Sequence, residues 1–244
     1  MTKKKISRLS IWLTVFVICA VPAWASWTLV QHPNNAACSG TSCSVTVSAT
    51  GSGHLITVIV QPNTATNTTI SSVSGGGTYT HCTNCAASNG AGGAIDASYT
   101  LSSTSGATSI SATLSQSGGA SWTMEVFEYS FTNGPISLDA SGNRVQTTNV
   151  ANPAGVALTL TGTNDVIVQG GWYTTPFTAI SSPYSSPADF PGGNGAAGAI
   201  NTSSGTAPTW TATSGQGPFM AIAFKESTAA AKTCTIARMG AGPC

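Results

Sequence analysis

Charge is what this chain has least of. Asp, Glu, Lys and Arg make up 6% of its 244 residues, against about 25% in an ordinary soluble domain. Four of the eight Lys and Arg fall within the first eight residues. The only other basic residues are Arg144, Lys225, Lys232 and Arg238. A phosphate-binding surface needs clustered cations, so nucleic acid is excluded as a partner. Beyond the N-terminus no apolar run approaches the ~20 residues of a membrane-spanning helix. No segment keeps helical periodicity over three turns, and no G-x-S-x-G elbow, second C-x-x-C, H-x-x-x-H or D-x-D-x-D loop occurs. Those absences remove the α/β-hydrolase nucleophile, a four-ligand zinc centre and a calcium loop from consideration. Neither a cofactor nor a metal is expected.

The N-terminus is of a different kind. Lys3, Lys4, Lys5 and Arg8 precede an apolar run from Ile11 to Val21, and Ala23-Trp24-Ala25 places small residues before Ser26. A basic region, a short apolar region and an A-x-A site read as a secretory signal peptide over residues 1–25, cleaved after Ala25. Without it, four basic residues remain against seven acids, so the formal charge changes from +1 to −3. The expectation is a secreted, extracellular or cell-surface protein with no membrane span after cleavage.

Ser, Thr, Asn and Gly replace the missing charge. Such a surface is hydrated, but it lacks the Lys and Glu that keep strand edges from pairing with other chains. Self-association is therefore an expected property.

Strand patterns fill the rest. Ser121–Phe131, S-W-T-M-E-V-F-E-Y-S-F, is the longest strand-favouring run, bounded by Gly118-Gly119 and Asn133-Gly134-Pro135. It predicts a central strand. Further strands are predicted at 27–31, 43–49, 53–61, 70–73, 78–81, 95–101, 108–114, 156–160, 165–172, 199–202, 208–213 and 218–225. Two hairpins are predicted, one turning at Ser105-Gly106 and one at Gly162–Asn164. Strands every ten to fifteen residues, separated by Gly, Pro or Asn, indicate an all-β fold. The expected architecture is an antiparallel β-sandwich, jelly-roll-like, forming a single domain over 26–226 with a tail over 227–244.

Six cysteines remain after Cys19 leaves with the signal peptide: Cys38, Cys43, Cys82, Cys85, Cys234 and Cys244. An even number in an exported chain points to three disulfides. Their spacing favours Cys38–Cys43, Cys82–Cys85 and Cys234–Cys244, although six cysteines allow fifteen pairings. Cys244, near the chain end, is also a candidate for a link between chains. His81-Cys82-x-x-Cys85 lacks the second ligand pair of a zinc site. It also lacks the following helix that lowers a redox thiol's pKa.

Catalytic residues are not nominated. Glu125 and Glu128 lie three apart on a predicted strand, so they point to opposite faces. They do not flank one glycosidic bond at the ~5–9 Å that glycoside hydrolysis requires. Asp96, Asp139, Asp165 and Asp189 are too scattered to nominate a partner. The segment 174–194 reads as a long loop with short strands. With Trp172, Tyr173, Tyr184, Asp189 and Phe190 in or beside it, this segment is the candidate binding surface. Aromatics stack on sugar rings while amides and carboxylates bond their hydroxyls. The alternative is that the same aromatics fold back to cap the sandwich.

The motifs G-H-L-I-T-V-I-V (53–60), G-G-G-T-Y-T (75–80), M-E-V-F-E-Y-S (124–130), P-I-S-L-D (135–139), N-D-V-I-V-Q (164–169), P-T-W-T (208–211) and A-I-A-F-K (221–225) follow in this order. Together they resemble a diffuse group of secreted bacterial jelly-roll domains, mostly of unknown function, found alone or fused in large surface proteins. The resemblance implies the fold and brings no site residue with it. Three functions follow as expectations: a non-catalytic β-sandwich binding a carbohydrate or envelope ligand, a structural self-associating subunit, and, last, a hydrolase with an unrecognised site.

Overall fold

The computed structural model describes residues 26–132, 134–184 and 194–227. Among them there is no helix, and the chain forms sixteen strands. In chain order these are β1 (Trp27–Gln31), β2 (Asn34–Cys38), β3 (Ser42–Thr46), β4 (Leu55–Gln61), β5 (Ile70–Ser74), β6 (Thr80–His81), β7 (Ala87–Ser88) and β8 (Ala94–Thr100). They continue with β9 (Ser109–Leu114), β10 (Trp122–Phe131), β11 (Ile136–Val150), β12 (Asp165–Gly171), β13 (Phe177–Ile180), β14 (Gly195–Thr202), β15 (Trp210–Ala212) and β16 (Gly215–Glu226). All pairings are antiparallel.

Why β4 reads as an unbroken apolar run is explained by what lies on its two faces. Leu55 and Ile59 enter one core, with Phe127, Tyr129, Val168 and Ile222. Ile56, Val58 and Val60 enter a second core, with Val45, Ile110, Trp122 and Met124. Period-two alternation thus puts every other residue into a different core. The sheet β1-β10-β4-β8-β6 is covered on one face by β3-β9-β5 and on the other by β11-β16-β12-β14. The last sheet is itself covered on its outer face. Ile167, Phe219, Ala221 and Ala223 pack there against Tyr173, Phe177 and Trp210 from the β13–β15 pair and its flanking loops. The all-β architecture of face-packed antiparallel sheets is as expected, and it encloses three cores. Burial of each large side chain in them contributes about 1.5–3 kcal/mol.

β10 holds the position its composition assigns it. It pairs with β4 along one side and with β1 and β2 in succession along the other. β16 lies between β11 and β12. Both predicted hairpins fail. β8 and β9 belong to different sheets. The connection is pulled across the stack by bonds from Ser103 N–H to His54 O and from Gly106 N–H to Thr50 O, at 2.9 Å each. Residues 156–160 form no strand beside β12. Gly155 N–H donates to Pro208 O and Leu158 N–H to Gly205 O, so this segment lies over the outer core instead. β11, fifteen residues long, is not predicted at all, because Ser, Gly, Asn and Asp interrupt its pattern.

Cys38–Cys43 and Cys82–Cys85 are disulfide-bonded, with Cα–Cα separations of 5.3 and 5.4 Å. The pairs are buried in two different cores. The predicted signal peptide and the Cys234–Cys244 pair lie outside the described residues. Among the described residues no helix is long and apolar enough to cross a membrane.

Candidate functional site

Among the described residues, the aromatics expected to form a surface around 174–194 are buried instead. Trp172, Tyr173 and Tyr184 are 8%, 3% and 5% exposed. Tyr173 stacks on Phe177 with ring centroids 5.3 Å apart, and its hydroxyl donates to the Val150 or Gly215 carbonyl. Trp172 lies flat against Gly93, where a Cβ would stand 1.9 Å from its ring. Tyr184 takes a hydrogen bond from Gln169 Nε2 at 3.3 Å. Tyr173 and Tyr184 belong to the outer core, where they keep water from the outer face of β12 and β16, whereas Trp172 packs against Gly93 beside β8. Asp189 and Phe190 lie outside the described residues.

The three histidines, unconnected in sequence, share one arrangement. Each meets a buried carboxylate: His32 with Glu125 at 3.0 Å, His54 with Glu128 at 2.6 Å and His81 with Asp96 at 2.7 Å. His32 also stacks on Phe127 at 3.6 Å, and Glu128 takes further bonds from Gly51 N–H and Gln31 Nε2. Those two pairs hold the N-terminal strands and turns to the central sheet. His81 differs, since its side chain is 41% exposed. It opens into a cleft of about 400 Å³ with Ser71, Ser72, Thr78, Tyr79 and Ser98. Asp96 beneath it is fully buried and accepts from Ile70 and Ala97 N–H. Burial pushes the Asp96 carboxyl up, against the opposing effect of its bonds to Ile70 and His81. An imidazole so oriented, among hydroxyls, suits hydrogen bonding to a polar ligand.

A second cleft, of about 360 Å³, lies at the end of the β11–β16–β12 sheet. Lys225 Nζ stands 2.8 Å from Asp139 Oδ1. Thr161 N–H and Gly162 N–H both donate to Asp139 Oδ2, at 2.7 and 3.2 Å. The Thr161 hydroxyl bridges Asp139 Oδ1 and Lys225 Nζ. Asp139 reaches this position because β11 bulges there. Leu138 pairs with Phe224 and Ala140 with Ala223, leaving Asp139 as the extra residue.

Asp165, the first residue of β12, completes the group. It is fully buried, and no protein N–H or O–H reaches either of its oxygens. Its carboxyl bonds to that of Asp139 only by holding a proton between them. Burial and the Asp139 carboxylate push Asp165 up to about 7, with Lys225 opposing. Burial acts on Asp139 in the same direction, but hydrogen bonds from Lys225 and Thr161 outweigh it and hold this carboxyl well below the usual range. Gly162 is required here, since a Cβ on it would stand 1.8 Å from Asp165 Oδ1. These residues are 22 to 86 positions apart in pairs that cross strands, and only their rarity in a chain with seven acids marks them in the sequence.

No protein-family description, curated protein or solved structure matches this chain. Among the described residues no group of three or more His, Cys, Asp or Glu is arranged to hold a metal ion.

Proposed function

We propose that this chain is an exported, non-catalytic β-sandwich of the extracellular space or cell surface, acting as a structural subunit that associates with copies of itself. The observation that carries this reading is β11. It pairs with β16 along one side, and among the described residues no strand pairs with the other. Over fifteen residues it offers only Asp139 and Arg144 as charges and no proline, while Leu138, Val145 and Val150 are 36–38% exposed. An edge of this length without lysine or proline is a template for strand addition. Two buried disulfides and the resemblance to secreted jelly-roll domains support export.

Sedimentation of the full chain at several concentrations, with and without reductant, tests the reading. Self-association is expected to survive reduction and to be lost in Val145→Lys/Val150→Lys with circular dichroism unchanged. A monomer at every concentration would overturn it. Association abolished by reductant alone would place the contact at cysteines and remove β11 from it.

A second reading, binding of a carbohydrate or other envelope ligand, is favoured by the His81 cleft. Hydroxyls from Ser71, Ser72 and Thr78, the His81 imidazole and the half-buried Tyr79 ring converge there. A glycan array comparing the natural chain with His81→Ala checks it. Equal profiles would remove the cleft from consideration.

A further inference from the structure

Lys225, Asp139 and Asp165 form more than an ion pair with a neighbour. An amine is held against a carboxyl group, two backbone N–H groups converge on one oxygen of that carboxyl, and a second acid adjoins it. We propose that Lys225 and Asp139 join in an intramolecular isopeptide bond, with Asp165 as the proton-transfer group.

The chemistry balances without any co-reactant. Asp165 passes its proton to Asp139 Oδ1, giving a neutral acid, and takes one from the Lys225 ammonium. The freed Nζ lone pair attacks Asp139 Cγ, forming the Nζ–Cγ bond and placing negative charge on Oδ2. That oxygen already accepts from Thr161 N–H and Gly162 N–H, an arrangement that stabilises charge as it develops. A second proton moves from Nζ through Asp165 to Oδ1. The Cγ–Oδ1 bond breaks, Oδ1 leaves as water, and Asp165 ends in its starting state. Ammonium plus carboxylate has become amide plus water, with nothing oxidised or reduced.

Three features favour this over a lasting ion pair. The fold holds the reactants in contact at 2.8 Å, which removes the entropic cost of bringing them together. Asp139 is fully shielded while the Lys225 side chain is 30% exposed, so the carboxyl is dry and the water formed has a way out through the cleft. Asp165 has no other hydrogen-bond partner to restrain its proton, and its acidity near neutrality suits both donation and acceptance. Gly162 permits the approach, since any side chain there would occupy the Asp165 position. The product would tie β11 to β16 across the sheet edge. It does not depend on self-association, which uses the opposite edge of β11.

The test is the intact mass of the full chain, purified, denatured and reduced. The expected mass is one water below that calculated for the same purified polypeptide without the link. Tandem mass spectrometry should find one branched peptide joining the Asp139 and Lys225 segments. Lys225→Arg keeps the positive charge but should show the full mass, as should Asp139→Ala. Asp165→Ala should stay unlinked, or link much more slowly, while circular dichroism reports the same strand content. A natural chain that retains its full mass after prolonged incubation near neutral pH would overturn the proposal. So would a water loss mapping to any other residues, or an Asp139→Ala chain with the same loss.

Discussion

Glu125 and Glu128 stand three residues apart on β10, yet they meet different histidines on opposite faces of one sheet, His32 at 3.0 Å and His54 at 2.6 Å. Alternation along a strand forces this, since Glu125 shares the side of Phe127, and Glu128 that of Met124 and Val126. Each acid is therefore a tie between the central sheet and a different N-terminal segment. Removing one leaves buried donors without a partner.

Glu128→Ala should lower stability by about 3 kcal/mol, because Gly51 N–H, Gln31 and His54 all lose an acceptor. Glu128→Gln, which keeps an acceptor oxygen, should lose less. Urea denaturation of the two variants measures the difference, and equal losses would assign the effect to charge alone.

Trp172→Ala should destabilise by about 3–5 kcal/mol, the cost of truncating a large buried aromatic. An exposed binding residue would lose almost nothing. Gly93→Ala should also destabilise, because the added methyl meets the Trp172 ring. Thermal unfolding of both variants, with acrylamide quenching of tryptophan fluorescence in the natural chain, checks the packing.

The acidity of Asp165 predicts how stability varies with pH, measured best in Lys225→Arg, where no amide bond forms. The folded chain keeps the Asp165 proton up to about pH 7, whereas an unfolded aspartate loses it near its ordinary value of 3.8. The folded state then binds the extra proton. Its contribution is complete below about pH 4 and is lost as pH rises towards 7. Asp139 has the opposite sign, and its contribution disappears as pH falls below about 4. The melting temperature attributable to this pair should therefore peak near pH 4–5. Adding Asp165→Asn should flatten the decline between roughly pH 5 and 7.

Cys82→Ala/Cys85→Ala should cost about 2 kcal/mol by chain entropy, since the closed loop is short. The protein should remain folded at room temperature. Because both sulfurs lie in the core between the two large sheets, reduction in the folded state should be slow without denaturant. A time course of thiol labelling with and without urea decides this.

Much of the architecture follows from local pattern. The runs at 55–61 and 122–131 are rich in β-branched and aromatic residues, so they become strands wherever they lie. Cys38–Cys43 and Cys82–Cys85 are close enough along the chain for proximity alone to pair them. The site was a different matter. Trp172, Tyr173 and Tyr184 have compositions equally suited to a binding surface and to a core. Which one they form depends on what comes to lie against them, the outer face of β12 and β16 for Tyr173 and Tyr184 and Gly93 for Trp172, and no local window contains that information.

The sequence by itself determined the strand content, the short disulfides and the scarcity of charge, because these depend on neighbours a few residues apart. Only the tertiary structure decided how many cores there are, which edges stay open, and that Asp139, Asp165 and Lys225 meet. Those outcomes depend on strand register and sheet order, which are set by burial summed over the whole chain. The histidines show the same division. Each sits in an undistinguished local sequence, and each is given its acid partner by a strand pairing or turn from elsewhere in the chain.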